Sequence, residues 1–428
     1  MRISVVGAGY LGATHAACLA EWGHDVLAVE ADAERLAAFQ RGVVPFHEPG
    51  LSTLVATHVA TGRLQFSADL ADVAGCDVHF VCVGTPQHDD GSADLRALHD
   101  AVDAMAPHVG HGLVVGKSTV PAGTVGALLE RPTVREHDVR IAWNPEFLLE
   151  GSAIEDTLRP DRLVFGIGPA GGDQELREVY ADLVQAGVPV IRTSLATAEL
   201  AKSSANLMLA TRISLVNVLA ETCERAGADM RELAAVVGLD DRIGRHVLTP
   251  GVGYGGGCLP KDSRAFATRA AELGVEAAGD LVGAVDRVNL HQRERTAEIV
   301  ADWLGGLEGR RVAVLGAAFK GGTDDVRESP ALDVARRLVA GGAEVRVHDP
   351  AAGAHVSRAG LRHEVDPLSA CWAADLVAVL TDWPDFGRLD PAALREVVAA
   401  PRCLDGRQTI DAAKWREAGW DVYVLGGG

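Results

Sequence analysis

The stretch GYGGGCLPKD, residues 253–262, sets Cys258 among four glycines and follows it with Lys261 and Asp262. Glycine loses more backbone freedom on folding than any other residue, so such a cluster persists where a ligand or another backbone approaches closely. A thiol beside cations is biased towards the thiolate, the form that attacks electrophilic carbon. Lys202 and Asn206 stand four apart in an Ala- and Leu-rich stretch, on one face of a helix, with Glu199 on the same side. Burying a lysine and an amide costs desolvation unless polar partners meet them, which suggests a lined cavity. NPEFLLEG at 144–151 adds Glu146 and Glu150 just past a strand end. Taken singly, the cysteine also reads as an inert buried hydrophobe, and the Lys202/Asn206 pair as a solvated stripe on a surface helix.

Together these groups suit the oxidation of an aldehyde. An aldehyde carbon without an oxyanion donates hydride poorly. Addition of a thiolate makes a tetrahedral carbon that can release hydride and leave a thioester, which water then cleaves. Nearby cations stabilise the oxyanion as it develops. Such chemistry needs a hydride acceptor, and GAGYLG at 7–12 supplies G-x-G-x-x-G directly after a strand and at the start of a helical pattern. Gly7 permits the tight turn, Gly9 lets the backbone approach a pyrophosphate, and Gly12 lets helix pack on strand. Glu30 closes the next strand and should accept hydrogen bonds from ribose hydroxyls, favouring NAD over NADP, although Arg35 nearby could serve a phosphate. GTP at 84–86 and KSTVPAGT at 117–124 follow later strands, which places Thr85 and Thr119 at the carboxyl ends of a parallel sheet where ligands bind. Fifteen histidines are scattered, and no pair of cysteines has metal-ligand spacing, so no metal is expected.

The elements that must hold these residues alternate in the first part of the chain. ISVVG at 3–7, DVLAVE at 25–30, VHFVCVG at 78–84, LVVGKST at 113–119, RIAWN at 140–144, RLVFGIG at 162–168 and PVIRT at 189–193 read as strands separated by helical segments. That pattern builds a parallel sheet covered on both faces. From about Thr197 to Leu304 the strand signal vanishes, and AELAKSSANLMLATRISLVNVLAETCERAG reads as one long helix ending at Gly227. After GGLEG at 305–309 the alternation returns with RRVAVLG, AEVRVHD, ADLVAVL, RCLD and DVYVL. The expectation is an α/β protein with two Rossmann-like doubly wound parallel-sheet domains, 1–193 and 305–428, joined by a central helical domain, 194–304.

With 48% hydrophobic and 23% charged residues, the composition is that of a folded globular protein. The net charge of −19 disfavours nonspecific binding to nucleic acid or anionic lipid, so a phosphate-bearing partner requires local cations. No apolar run approaches the ~20 residues that span a bilayer. A strand begins at Ile3, where a secretory signal would need a charged and then an apolar region, so the reading is cytoplasmic. The seven scattered cysteines are expected to be thiols.

These residues resemble those of the UDP-glucose/GDP-mannose dehydrogenase family nearly end to end: GAGYLG, EPGL (48–51), VGTP (83–86), KSTVPAGT, NPEFLLEGSAI (144–154), PDR (160–162), AELAKSSAN (198–206), DDRIG (240–244), GYGGGCLPKD, FKGGTDDVRESPAL (319–332) and LDGRQTID (404–411). The resemblance implies four-electron oxidation of a nucleotide sugar's primary alcohol to a carboxylate, using two NAD and one water. It makes Cys258 the nucleophile, has Lys202 stabilise the oxyanion with Asn206 assisting, and gives proton handling to Asp262 and a water near Thr119. Glu146 becomes the acid or base of thioester hydrolysis. Cofactor contacts fall on the 7–12 loop, including Tyr10 and Leu11, and on Glu30, Arg35, Thr85, Thr119, Glu150, Lys261 and Arg327. Substrate contacts fall on Glu146, Phe147, Leu148, Leu149 and Glu150, on Lys202 and Asn206, on Val247, Leu248, Thr249, Pro250 and Gly251, and on Gly255, Lys320 and Arg407. The resemblance implies a site closing between the two α/β domains and a homodimer through the long helix.

Two positions depart from the family's pattern. Leu149 replaces a usual arginine, and Gly257 replaces a serine or bulkier residue, which suggests a looser loop before the cysteine. DDRIG and GYGG fit the UDP-glucose members better than the GDP-mannose members, while another nucleotide sugar stays open as substrate. Two-electron hydroxyacid dehydrogenases also carry a lysine and an asparagine four apart, but need neither Cys258 nor a third domain. A nucleotide-sugar sensor would keep the binding groups without turnover.

Overall fold

The computed structural model describes residues 1–427, which form two compact units: 1–205 with 264–275, and 206–263 with 276–427. The first unit is built on β1 (Arg2–Val6), β2 (Asp25–Val29), β3 (Leu64–Ser67), β4 (Val78–Val81), β5 (Leu113–Gly116), β6 (Arg140–Trp143), β7 (Leu163–Ile167) and β8 (Val190–Thr193). They lie side by side in the order β3-β2-β1-β4-β5-β6-β7-β8. Successive side chains of a strand point to opposite faces, so Leu113 and Val115 join one apolar core while Val114 joins the other. Burial on both faces explains why these strands read as continuous apolar runs rather than alternating ones.

One pair departs from the expected parallel sheet. β7 runs antiparallel to β6, with Ala142 opposite Ile167 and Trp143 opposite Gly166. A parallel neighbour needs a crossover that returns the chain to the other end of the sheet. The 144–162 connection makes no such return, and β7 begins beyond the end of β6. The NPEFLLEG segment is thereby kept at the carboxyl edge, beside the other strand ends. Strand β3 lies outside the expected set because, at the edge of the sheet, its LQFS alternates buried and exposed residues instead of forming the continuous apolar run of the inner strands.

The second unit carries β9 (Arg311–Leu315), β10 (Glu344–His348), β11 (Arg362–His363), β12 (Leu376–Val379), β13 (Arg402–Asp405) and β14 (Asp421–Val424). Its order, β11-β10-β9-β12-β13-β14, repeats that of the first six strands, and every pairing is parallel. The order in which strands are added reverses between β1 and β4 in one sheet and between β9 and β12 in the other, although each pair is parallel, and such a switch point is where open parallel sheets bind ligands.

The long helix spans Leu195–Ala226, 32 residues, and supplies residues to both units. Alanine and leucine favour it, and Gly227, at φ +71°, ends it in the left-handed region. A second long helix, Ala277–Leu304, stops the same way at Gly305, φ 67°. Among the described residues no helix is long and apolar enough to cross a membrane.

Candidate active site

The dinucleotide loop has the geometry its glycines demand. Gly7 lies at φ +91°, and a Cβ on Gly12 would sit 1.8 Å from the Gly7 carbonyl oxygen, so neither tolerates a side chain. A Cβ on Gly9 would meet nothing within 4 Å. Gly9 therefore presents bare backbone to open space at the head of the helix Tyr10–Glu21, whose first turn holds no acidic residue and no side-chain cap. The exposed amides and the helix dipole favour phosphate there. Glu30 is buried past the end of β2, and its Oε1 accepts the Asp32 amide at 2.8 Å. Arg35 lies 3.7 Å from Glu30 and 3.8 Å from Asp32, so two carboxylates already hold the guanidinium that could have served a phosphate. Leu11 packs into the core, which leaves only its backbone for a cofactor.

The equivalent place in the second sheet is closed. Asp349, following β10 as Glu30 follows β2, accepts the amides of Ala317 and Ala318 at 2.7 and 3.0 Å. Those amides follow β9 and would otherwise face a phosphate.

Three strand ends of the first unit converge. The Thr85 hydroxyl donates to the Thr119 carbonyl at 2.8 Å, tying together the two loops expected to line the crevice. Glu199 is buried on the long helix and accepts the amides of Gly123 and Val125 at 2.7 and 2.6 Å, so it caps the end of the KSTVPAGT loop rather than facing a substrate. Burial pushes its carboxyl above the usual range. Lys117 is buried at the end of β5, 3.0 Å from Glu146 and 3.0 Å from the Asn144 Oδ1. Burial opposes the charge on Glu146, but the Lys117 ammonium, the Phe147 amide and Lys202 together outweigh it and hold that carboxyl below its ordinary value. Of the two roles the resemblance left open, acid or base, this environment suits only the base. Lys202 lies over the Phe147 ring, 5.7 Å from its centroid, with Arg162 over the same ring at 4.0 Å. Leu149, at the departure from the family pattern, is 56% exposed.

Glu48, from EPGL, joins the cofactor loop to this segment. It is buried, receives the Tyr10 hydroxyl, and accepts the amides of Gly151 at 2.6 Å and Ala153 at 2.8 Å. The Gly151 amide also reaches the Tyr10 oxygen at 3.0 Å. Glu150 immediately precedes this knot.

In the second unit Cys258 is exposed, whereas the other six cysteines are buried. It directly precedes the helix Leu259–Glu272, and its carbonyl accepts the Asp262 amide at 2.8 Å. Asp262 is buried, accepts the Asn206 side-chain amide at 2.6 Å and has the Lys261 ammonium 2.6 Å away. The glycines before the cysteine serve the protein's own packing. A Cβ on Gly255 would lie 2.3 Å from the Glu328 carbonyl, and one on Gly256, φ +82°, 2.9 Å from the Phe319 ring. At Gly257 the space of the missing side chain is filled by the Arg327 guanidinium, 2.3 Å from an added Cβ. Where Gly257 suggested a looser loop before the cysteine, the structure has close packing against Glu328, Phe319 and Arg327.

Helix residues clamp that loop from behind. Asn289 exchanges two hydrogen bonds with the Tyr254 backbone at 2.8 and 3.0 Å, Arg293 donates to the Tyr254 carbonyl at 2.7 Å, and Asn217 accepts the Gly251 amide at 2.9 Å. Arg407 donates to the carbonyls of Leu380 and Phe319, next to Lys320, and lies 2.8 Å from an added Cβ on Gly251. Burial pushes the Arg407 guanidinium down. The expected contacts at Gly251, Lys320 and Arg407 thus gather in one place. Val247, Glu328 and Gln408 have φ of 57°, 49° and 54°, and all three lie at or beside expected contacts. Such strain outside glycine persists where the surroundings enforce it, commonly at functional sites.

Residues 1–184 match the NAD binding domain of the UDP-glucose/GDP-mannose dehydrogenase family, residues 196–291 its central domain and residues 313–412 its UDP binding domain. The chain belongs to this family. Among relatives, a UDP-glucose 6-dehydrogenase of Rhizobium meliloti is 40% identical over 95% of each chain. UDP-glucose 6-dehydrogenase YwqF of Bacillus subtilis is 36% identical over all of this chain and 98% of that one. Among solved structures, a UDP-glucose dehydrogenase of Pyrobaculum islandicum superposes with a TM-score of 0.87 at 37% identity, covering 98% of both chains. A UDP-D-ManNAc dehydrogenase of Pyrococcus horikoshii reaches 0.83 at 26% identity over 100% and 99%. The cofactor of this family member is NAD, and the open face at Gly9 and the buried Glu30 fit it.

Sequence reasoning singled out neither Lys117, Asn144 and Glu48 nor the clamping residues Asn217, Asn289 and Arg293. The signal was present in part, since Asn289 and Arg293 are polar residues four apart on a helix face that must be buried. Among the described residues, no group of three or more His, Cys, Asp or Glu side chains could hold a metal ion.

Proposed function

We propose that the chain oxidises the primary alcohol of UDP-glucose to the carboxylate of UDP-glucuronate, with two NAD and one water per sugar. The observation that carries this reading is the full-length likeness to relatives named for that activity, at 36–40% identity. The exposure of Cys258 at a helix N-terminus, where backbone amides favour negative charge, supports the covalent route. The division 1–193, 194–304 and 305–428 then separates NAD binding, the central helices and UDP binding.

Gly9, the helix behind it and Glu30 hold the dinucleotide; Thr85, Thr119, Glu150, Lys261 and Arg327 complete its contacts. NAD, when bound, accepts a hydride in each oxidation. Asp262, held by Asn206 and Lys261, and a water near Thr119 take the alcohol proton. The Cys258 thiolate adds to the aldehyde carbon, and Lys202 and Asn206 offset the charge on the resulting oxyanion. Loss of the second hydride leaves a thioester on sulfur. The Glu146 carboxylate draws a proton from water, whose oxygen attacks the carbonyl. The carbon–sulfur bond breaks, and Cys258 leaves as thiolate. Lys320, Arg407 and the 247–251 loop supply the local cations and amides that a sugar diphosphate needs on so acidic a protein.

The test is to supply UDP-glucose and NAD and to count NADH formed per sugar consumed. Two per sugar is expected, with Cys258→Ser retaining sugar and NAD binding but releasing no uronate. One NADH per sugar would mean simple alcohol oxidation, and tight binding without NADH a sensor. Faster turnover of a UDP-N-acetylhexosamine or of GDP-mannose would reassign the substrate. A cytoplasmic location and a homodimer complete the reading. For the dimer, Met208, Leu215 and Val218 are exposed apolar residues at helical spacing on the long helix.

A further inference from the structure

Lys117 has no part in the chemistry so far, although lysine is seldom fully buried without a reason. Its side chain is 5% exposed and its backbone continues β5, with its amide donating to the Val81 carbonyl at 2.9 Å. The ammonium is fixed from two sides, by Glu146 Oε2 at 3.0 Å and by Asn144 Oδ1 at 3.0 Å. Asn144 is itself rigid: its amide nitrogen donates to the Val164 carbonyl at 3.0 Å, and its oxygen accepts the Tyr180 hydroxyl at 2.6 Å. Glu146 is equally constrained, because Oε1 accepts the amides of Phe147 and Leu148 at 2.7 and 2.9 Å. A carboxylate offers about four acceptor positions. Two amides and the ammonium occupy all but one, and the remaining position lies on Oε2.

Resting on the reading of Glu146 as the base of thioester hydrolysis, we propose that Lys117 is a positioning residue for that step. It holds Glu146 as a carboxylate and leaves one lone pair, on Oε2, to receive the proton of the attacking water.

The groups around the pair fit this role. Tyr180, Cys82 and Cys18 are pushed up to about 12 by burial and stay neutral, as does His15, which burial pushes down. Lys202, on the long helix, is the second cation acting on Glu146. Burial would lower the Lys117 ammonium, but the Glu146 charge reverses this and raises it, so the two charges sustain each other. The sign of the pH effect follows. A depressed Glu146 stays ionised and active through neutral pH, and hydrolysis fails only as pH falls through the depressed value. Without Lys117, burial dominates, and the acid limb of hydrolysis moves upward by about 1–3 pH units, the range an adjacent opposite charge commands.

The experiment follows the thioester on the 253–262 peptide by quenched mass spectrometry during a single turnover with UDP-glucose and NAD, across the acid range. Wild type should lose hydrolysis only below the ordinary glutamate range. Lys117→Met should raise the acid limb, and Lys117→Arg should return it towards wild type even if the rate is lower. A wild-type limb at or above the ordinary range overturns the proposal, and this measurement needs no variant to fold. An unmoved limb in a folded Lys117→Met also overturns it. Glu146→Gln separates the two readings. If its thioester accumulates while Lys117→Met keeps the wild-type limb, only the positioning role fails. If Glu146→Gln hydrolyses normally, the assignment of Glu146 as base fails first.

Discussion

Seven cysteines share one chain, and position alone distinguishes the one proposed to react. Burial pushes Cys18, Cys82 and Cys371 up to about 12, so they are thiols at neutral pH and have no access to reagent. Cys258 is exposed beside the N-terminus of a helix. Brief treatment of the native protein with iodoacetamide should therefore place a single label on the 253–262 peptide and abolish NADH formation in proportion to labelling. Labelling spread over several cysteines, or full activity after stoichiometric labelling of Cys258, would contradict its role. The residue itself was legible, because a thiol followed by lysine and aspartate among glycines is an unusual grouping. The reason for the glycines was not, since Glu328 and Phe319, which press on them, lie more than sixty residues away in sequence.

At the scale of elements, short carboxylate bridges fix loops that the sheet alone would leave independent. Glu48 binds Tyr10 of the dinucleotide loop and the amides of Gly151 and Ala153, and Glu199 caps the loop that carries Thr119. In Glu48→Gln a side-chain NH₂ must face a backbone N–H, and a buried donor left unpaired costs about 1–3 kcal/mol. Urea denaturation should show a loss of that size, and KM should rise for both NAD and the sugar because the bridge touches loops serving each. A rise in neither KM would reduce Glu48 to a purely structural link. EPGL could be recognised as a motif, but its partners depend on how a loop after β2 and a loop after β6 meet.

At the scale of the molecule, two sheets of the same strand order differ at the place where a dinucleotide could bind. The first leaves amides and a bare Gly9 open, while the second closes its own amides with Asp349. The likeness of order repeats the physics of right-handed crossovers and says nothing by itself about ligands. The proposed dimer also belongs to this scale. Met208 is 73% exposed and Leu215 56%, a combination that water disfavours on a helix otherwise well packed. Replacing both by glutamate should convert a dimer to monomers in sedimentation velocity; an unchanged mass would move the interface elsewhere.

The sequence by itself determined the alternation of strands and helices, the long helix, the dinucleotide fingerprint and the reactive grouping around Cys258. Each is a local pattern, set by side-chain period, glycine placement or neighbouring charge. Only tertiary structure decided that β7 runs against β6, that Lys117 and Glu146 pair, and that Arg327 fills the space beside Gly257. Those outcomes depend on which buried charge finds which partner across distant segments, and desolvation penalises every arrangement in which it finds none.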